Sequence, residues 1–340
     1  MHRSKILLLS VVIIFTLVVS NIQVHSQPHW DFDNYQIVGS NIVISFINKQ
    51  PSYTITHPKF EQIAYSIQFV QLIEFQDKNN NFSFDANDRI LARGILCDKF
   101  AWNIKANETE NALIVALSSE IRVVKMGAHY GPPLSAHVSF VNRMFFEDTA
   151  VGDYQIKGES DLKIDVIVRD WPWQKDDSYL ALMVNLQSYD IKHGGTKLST
   201  ITQHKKEKYG KTEMAEFTLK AAESSYGISF KNSYSVNIDN AVSECTTSLS
   251  ENKTLYINYP HFDEILIHDP VISIISSIEE KIGFFGIIVG ATTLVFALMI
   301  AVYSIRRVKR KLFVERSNVC LLYTSDAADD GESVDLGGRG

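Results

Sequence analysis

The sequence predicts an all-β ectodomain of β-sandwich type, built as two packed sandwich domains and followed by one C-terminal transmembrane helix. Three observations carry that expectation. Apolar and polar residues alternate with a period of two through much of 27–281, the pattern of strands with one buried face. Turn-forming residues interrupt the alternation at strand-length intervals, as in sandwich domains. Near the C-terminus, residues 282–305 (IGFFGIIVGATTLVFALMIAVYSI) hold no charged residue for 24 positions. At about 1.5 Å of rise per residue, such a helix crosses a hydrocarbon core about 30 Å thick.

The chain begins with the basic stretch Met1-His2-Arg3-Ser4-Lys5 and an apolar run over 6–19. Val24-His25-Ser26 then supplies modest side chains ahead of Gln27. This is the secretory-signal pattern, with residues 1–26 removed. An uncleaved anchor is the alternative, but Asn21 and Gln23 end the apolar run short of a span of about 20 residues.

The clearest strand pair follows in the middle of the chain. Leu162, Ile164, Val166 and Val168 share one face, and after the loop DWPWQKDD so do Leu180, Leu182, Val184 and Leu186. Further strands are expected at 36–47, 65–75, 89–95, 112–117, 136–145, 213–219, 226–230 and 254–259, with one helical turn at 220–224. A boundary near 150–159 would separate sandwich domains at 27–150 and 151–281.

Arg306, Arg307, Lys309, Arg310 and Lys311 follow the apolar run directly, whereas Glu279 and Glu280 precede it. This asymmetry places the C-terminal side in the cytoplasm and the N-terminal part outside it, a type I topology at the plasma membrane or another secretory-pathway membrane. Residues 306–319 form a basic cytoplasmic stub. Residues 320–340 (CLLYTSDAADDGESVDLGGRG) resemble translated sequencing-library adapter and are set apart from the native chain. Gly286 and Gly290 within the apolar run have small-xxx-small spacing, a weak case for a homodimer.

The net charge of −6 and the dispersed basic residues give no reason to expect a nucleic-acid partner. With Cys320 set apart, Cys97 and Cys245 remain. Two cysteines in an oxidising compartment favour one disulfide, the alternative being two free buried thiols. Sequons at Asn81, Asn107 and Asn252 mark three candidate glycosylation sites in surface loops.

The segment Asp77-Lys-Asn79-Asn-Asn81-Phe-Ser83-Phe84-Asp85-Ala-Asn-Asp88 repeats oxygen-bearing side chains at relative positions 1, 3, 5, 7, 9 and 12. Over these twelve residues it resembles an EF-hand calcium loop. The resemblance implies Asp77, Asn79, Asn81 and Asp88 as side-chain ligands. Ser83 would serve through its carbonyl, and Asp85 directly or through water. Two departures matter: Phe82 stands where the pattern has glycine, and Asp88 replaces a bidentate glutamate. The flanks read as strands, and with only three carboxylates the site would be weak, in the class of extracellular calcium modules. A polar turn rich in Asn and Asp is the competing explanation. Asn81 cannot carry a glycan on its amide and also turn inward to a metal.

Trp171 and Trp173, in the DWPW loop, are candidates for a glycan platform or a protein contact, or else for capping the core. His261, His268 and their neighbouring acids show no recognised three-ligand zinc spacing. Lys205, Lys206, Lys208 and Lys211 read as a solvated basic loop. No nucleophile motif or phosphate-binding glycine loop is present. The sequence therefore points to a non-enzymatic surface glycoprotein that binds another surface protein or a glycan, with calcium as the one candidate cofactor. A membrane-anchored enzyme acting on carbohydrate and a secretory-pathway cargo or folding factor are the competing expectations, because carboxylate pairs converge only in space.

Overall fold

The computed structural model describes residues 27–97, 102–127, 134–192, 194–195, 199–208, 211–221, 224–250 and 253–276, together with 297, 299–301 and 303–306. The expected signal (1–26), Asn252, Gly286, Gly290 and residues 307–340 lie outside the described residues, as does most of the expected 282–305 span. Among the described residues no helix is long and apolar enough to cross a membrane. The described residues from 297 to 306 are helical, and Ile300 and Tyr303 are exposed there. They belong to a separate compact unit beginning at Ser277.

Among its described residues, the unit ending at Ser276 is built of strands joined by turns, with one short 3-10 turn at Ile47–Lys49. In chain order the first strands are β1 His29–Asp31, β2 Gln36–Val38, β3 Val43–Phe46, β4 Ser52–His57, β5 Phe60–Gln76, β6 Arg89–Ile95, β7 Asn103–Glu108 and β8 Ala112–Lys125. They continue as β9 Leu134–Phe145, β10 Thr149–Val151, β11 Tyr154–Ile156, β12 Asp161–Arg169, β13 Tyr179–Asp190, β14 Ser199–Lys208 and β15 Lys211–Ala221. The last are β16 Tyr226–Ser233, β17 Ser235–Ile238, β18 Ala241–Glu244, β19 Thr246–Leu249, β20 Thr254–Tyr259, β21 Ile265–His268 and β22 Val271–Ser276.

All pairings are antiparallel and trace two layers. One runs β1–β2–β3–β4–β5–β13–β20–β19. The other runs β7–β8–β9–β12–β22–β16–β15–β14, with β21 continuing the edge of β12 and leading to β17 and β18. β6 joins the layers by pairing with both β5 and β8. Side chains from the two inner faces interlock: the Phe69 and Phe140 rings lie 4.9 Å apart, Tyr65 and Tyr226 5.2 Å. The Tyr65 hydroxyl donates to the Tyr226 carbonyl at 2.6 Å. This is sandwich construction, with dispersion and area burial concentrated between the layers.

The sequence pattern is visible in the register. Leu162, Ile164, Val166 and Val168 of β12 are all buried on the inner face. Lys163 and Asp165 face the other way yet are also buried, because the β10–β11 hairpin packs Tyr154 and Ile156 against Met214 and Val271 on that side. Lys163 lies in ion-pair contact with Asp165 and, at 3.2 Å, with Asp269. Buried charge survives there through pairing.

Four expectations change. The boundary at 150–159 does not divide two cores: β9 pairs with β12 across it, β5 pairs with β13, and one hydrophobic core runs from Ile37 to Ile272. The loop DWPWQKDD does not close a hairpin, since β12 and β13 lie in different layers and the loop crosses between them. Lys205, Lys206, Lys208 and Lys211 are not a loop but lie on the β14–β15 hairpin. Residues 220 and 221 continue β15 rather than starting a helical turn.

Candidate functional site

The end of the sandwich where β5 stops gathers most of the residues singled out above. A one-residue bulge in β5 near Val70 turns Glu74 toward the inner face, in register with Leu72. Glu74 is fully buried there. Its carboxyl oxygens accept from Trp171 Nε1 (3.3 Å), Gln174 N (2.7 Å), Lys175 N (3.2 Å) and Ser178 Oγ (2.8 Å). One side chain thus accepts from four donors of the crossing loop, the buried Trp171 indole and Ser178 hydroxyl and the half-buried amides of Gln174 and Lys175.

Trp171 is buried at 3 % exposure and packs against Gly94, where an added Cβ would stand 3.2 Å from the indole and 2.6 Å from Ile121. It therefore caps the core. Trp173 is half-buried, donates to the Phe262 carbonyl at 2.7 Å and stacks on His261 with centroids 4.2 Å apart. His268 lies elsewhere, on the inner face beside Asn232.

The 77–88 loop follows β5 and is organised by its own side chains. Asp77 accepts the amides of Asn79 (3.1 Å), Asn80 (2.8 Å) and Phe82 (2.8 Å). Asp88 accepts those of Lys78 (3.1 Å) and Asp85 (2.8 Å). The side-chain amides of Asn79 and Asn81 converge on one oxygen of Asp85, at 2.8 and 3.2 Å. The Asn87 amide, and after it the Asn79 side chain, hold the Asp85 carboxyl below its usual range. Phe82, at the position where the calcium pattern has glycine, adopts φ 55°, the left-handed conformation that glycine takes without strain. Ser83 turns its hydroxyl to within 3.3 Å of the Thr246 hydroxyl.

The loop folds back on the outer face of the first layer. Phe84 packs 5.3 Å from Phe75 and 5.1 Å from Tyr256, and Phe82 stands 5.7 Å from Tyr179. Phe82 itself remains 54 % exposed. The result is a surface with an aromatic centre and a rim of Asn and Asp. Among the described residues, no group of three or more His, Cys, Asp or Glu is placed to hold a metal. A cation at this loop would therefore draw on the Asn amide oxygens as well as the three carboxylates. A half-turn of the Asn79 and Asn81 amides exchanges their donors for Oδ1 acceptors facing Asp85.

Asn81 and Asn107 are both exposed, Asn107 on strand β7 rather than in a loop. The expected disulfide is absent: Cys97 and Cys245 are free thiols. Cys97 donates to the Phe69 carbonyl and Cys245 to the Ser233 carbonyl, each at 3.3 Å. Burial pushes the Cys245 thiol up to about 12 and raises Cys97 as well, which suppresses the thiolate needed for exchange.

Glu74 was missed by the sequence reading, although a lone acid within the apolar run FVQLIEFQ was the available signal. Tyr179 and Tyr256 were missed because nothing in sequence places them beside the 77–88 loop. No family model and no curated protein matches the chain. Among solved structures, the chain is similar to an alpha-mannosidase from Enterococcus faecalis V583 at 9 % identity and a TM-score of 0.42, over 76 % of this chain and 31 % of that one. The matched part is thus about a third of that structure's length.

Proposed function

We propose that the chain is a single-pass, type I membrane glycoprotein whose β-sandwich ectodomain is a non-enzymatic binding module. Its recognition surface is the end formed by the 77–88 and 170–178 loops, and calcium stiffens the first of them. The observation that supports this reading most strongly is the 77–88 loop itself. Two Asn amides converge there on the Asp85 carboxylate, Asp77 and Asp88 accept backbone amides of the same turn, Phe82 takes the glycine-like backbone, and the turn presents Phe82 at the surface. Exposed aromatics beside polar rims are the usual chemistry of contact hot spots. Each loop has a rigid support, the Glu74 clamp for 170–178 and the Phe75–Phe84 contact for 77–88, so little ordering would be needed on binding.

Surface labelling tests the cellular half of the reading. A membrane-impermeant biotin reagent applied to intact cells is expected to label lysines such as Lys78, and glycosidase treatment is expected to lower the apparent mass. Labelling only after permeabilisation would instead favour a resident of an internal secretory compartment.

A further inference from the structure

We infer that the opposite end of the sandwich carries a second binding site, for a sugar bearing a carboxylate. A cavity of about 460 Å³ opens where β5 begins, lined by Lys59, Phe60, Gln62, Lys192, Ser224 and Tyr226 among others. β5 is 17 residues long, so this cavity lies roughly 50 Å from the 77–88 loop at about 3.3 Å per strand residue. The two sites do not share residues, and this inference does not depend on calcium.

The lining has a consistent chemistry. The formally charged residues among it are Lys59 and Lys192, both exposed, and neither ammonium forms an ion pair among the described residues. Asp190 is close to the second of them, but its carboxylate accepts the Lys192 backbone amide at 2.9 Å. Phe60 presents a half-buried ring, held 4.7 Å from His57 and stacked 6.1 Å from Tyr226. Gln62 and the serine hydroxyls add neutral hydrogen-bonding groups.

Three further backbone amides at the site are already committed. Lys59 N donates to His57 Nδ1 (3.1 Å), Ser224 N to the Ala221 carbonyl (3.1 Å) and Tyr226 N to Ser224 Oγ (3.3 Å). The described lining shows no guanidinium fork and no nest of free amides, the multidentate grips for phosphate, so Lys59 and Lys192 would hold a phosphate only as point charges. Point charges on flexible stems, an aromatic wall for the C–H face of a pyranose and side-chain partners for hydroxyls fit a uronic-acid-type sugar better. A volume in this range admits one or two sugar rings.

The test uses the full chain in detergent micelles and sodium glucuronate as probe, read by saturation-transfer NMR, with glucose and inorganic phosphate in parallel. Glucuronate is expected to bind, with glucose about tenfold weaker or more, as loss of one charge contact implies. The double variant Lys59→Gln/Lys192→Gln changes two exposed residues, and is expected to keep the wild-type melting temperature while losing glucuronate binding. Phe60→Ser is expected to weaken binding of glucuronate while sparing any residual phosphate signal. Equal binding of glucose and glucuronate would overturn the assignment, because the carboxylate would then not be read. Phosphate binding as tight as glucuronate would reduce the site to a plain anion site and overturn the sugar. Absence of glucuronate signal, or full signal in the double variant, would remove the site altogether.

Discussion

Glu74→Ala is expected to destabilise the sandwich by about 3–5 kcal/mol, the range for breaking a buried polar or charged constellation from one side. The cost comes from the partners rather than from the glutamate. Trp171 Nε1, the amides of Gln174 and Lys175, and the Ser178 hydroxyl all point at a carboxyl group that is completely buried. Each buried donor left without an acceptor costs about 1–3 kcal/mol, less whatever entering water restores. Glu74→Gln keeps one acceptor oxygen but turns an NH₂ toward one set of donors, so a smaller loss of about 1–3 kcal/mol is expected. Urea unfolding followed by tryptophan fluorescence measures both. The indole of Trp171 should also become more polar in the alanine variant before global unfolding. A loss below about 1 kcal/mol for Glu74→Ala would mean that the crossing loop is not held by this clamp.

Acid is expected to weaken the fold through His268. This side chain is completely buried, and its Nε2 lies 2.7 Å from Asn232 Oδ1. An amide oxygen only accepts, so Nε2 carries the proton and donates. Nδ1 has no partner among the described residues. The Tyr259 ring stands 5.4 Å away. Burial first, and the positive charge of Lys163 second, depress the imidazole from 6.5 to about 3.

The unfolded chain takes up this proton near pH 6.5 and the folded chain does not. Stability from this residue is therefore full above pH 6.5 and falls as pH drops toward 3, at about 1.4 kcal/mol per unit. Asp269 acts in the opposite sense. Burial raises its pKa, so the folded form binds its proton first, offsetting part of the loss. A net decrease of about 1–2 kcal/mol between pH 6.5 and 4.5 is expected from urea titrations, and His268→Gln should flatten that slope. Equal slopes in the two proteins would exclude His268 as the cause.

Much of the strand inventory is legible in sequence because alternation reports burial directly. β12, β13, β20 and β6 appear where Leu162–Val168, Leu180–Leu186 and their counterparts alternate. Polar strands such as β7 (NIKANE) and β14 (STITQHKKEK) carry no such signal. They lie toward the outside of the second layer, where one row of apolar contacts suffices.

Which strands pair is not legible. β13 finds β5 across more than a hundred residues, and a period of two says which face is buried but not against what. The single-core architecture and the crossing role of DWPW both follow from such pairings. The calcium-like spacing of Asp77 to Asp88 is local and so survives in sequence, whereas Glu74 is hidden by the bulge that reverses its facing. Lys59 and Lys192 meet only because β5 and β13 are neighbours.

The most direct test of the binding-module reading is a pair of thermal melts, in calcium and in chelator, on protein whose Asn81 occupancy is mapped by intact glycopeptide analysis. With Asn81 unmodified, calcium at about ten times its dissociation constant adds about 1.4 kcal/mol. For a domain of this size that raises the melting temperature by about 3–6 °C. Asp85→Ala, which removes the oxygen on which both Asn amides converge, should abolish the shift. A glycan on Asn81 together with superimposed melts in calcium and chelator would contradict the account, leaving the 77–88 loop as a glycosylated turn.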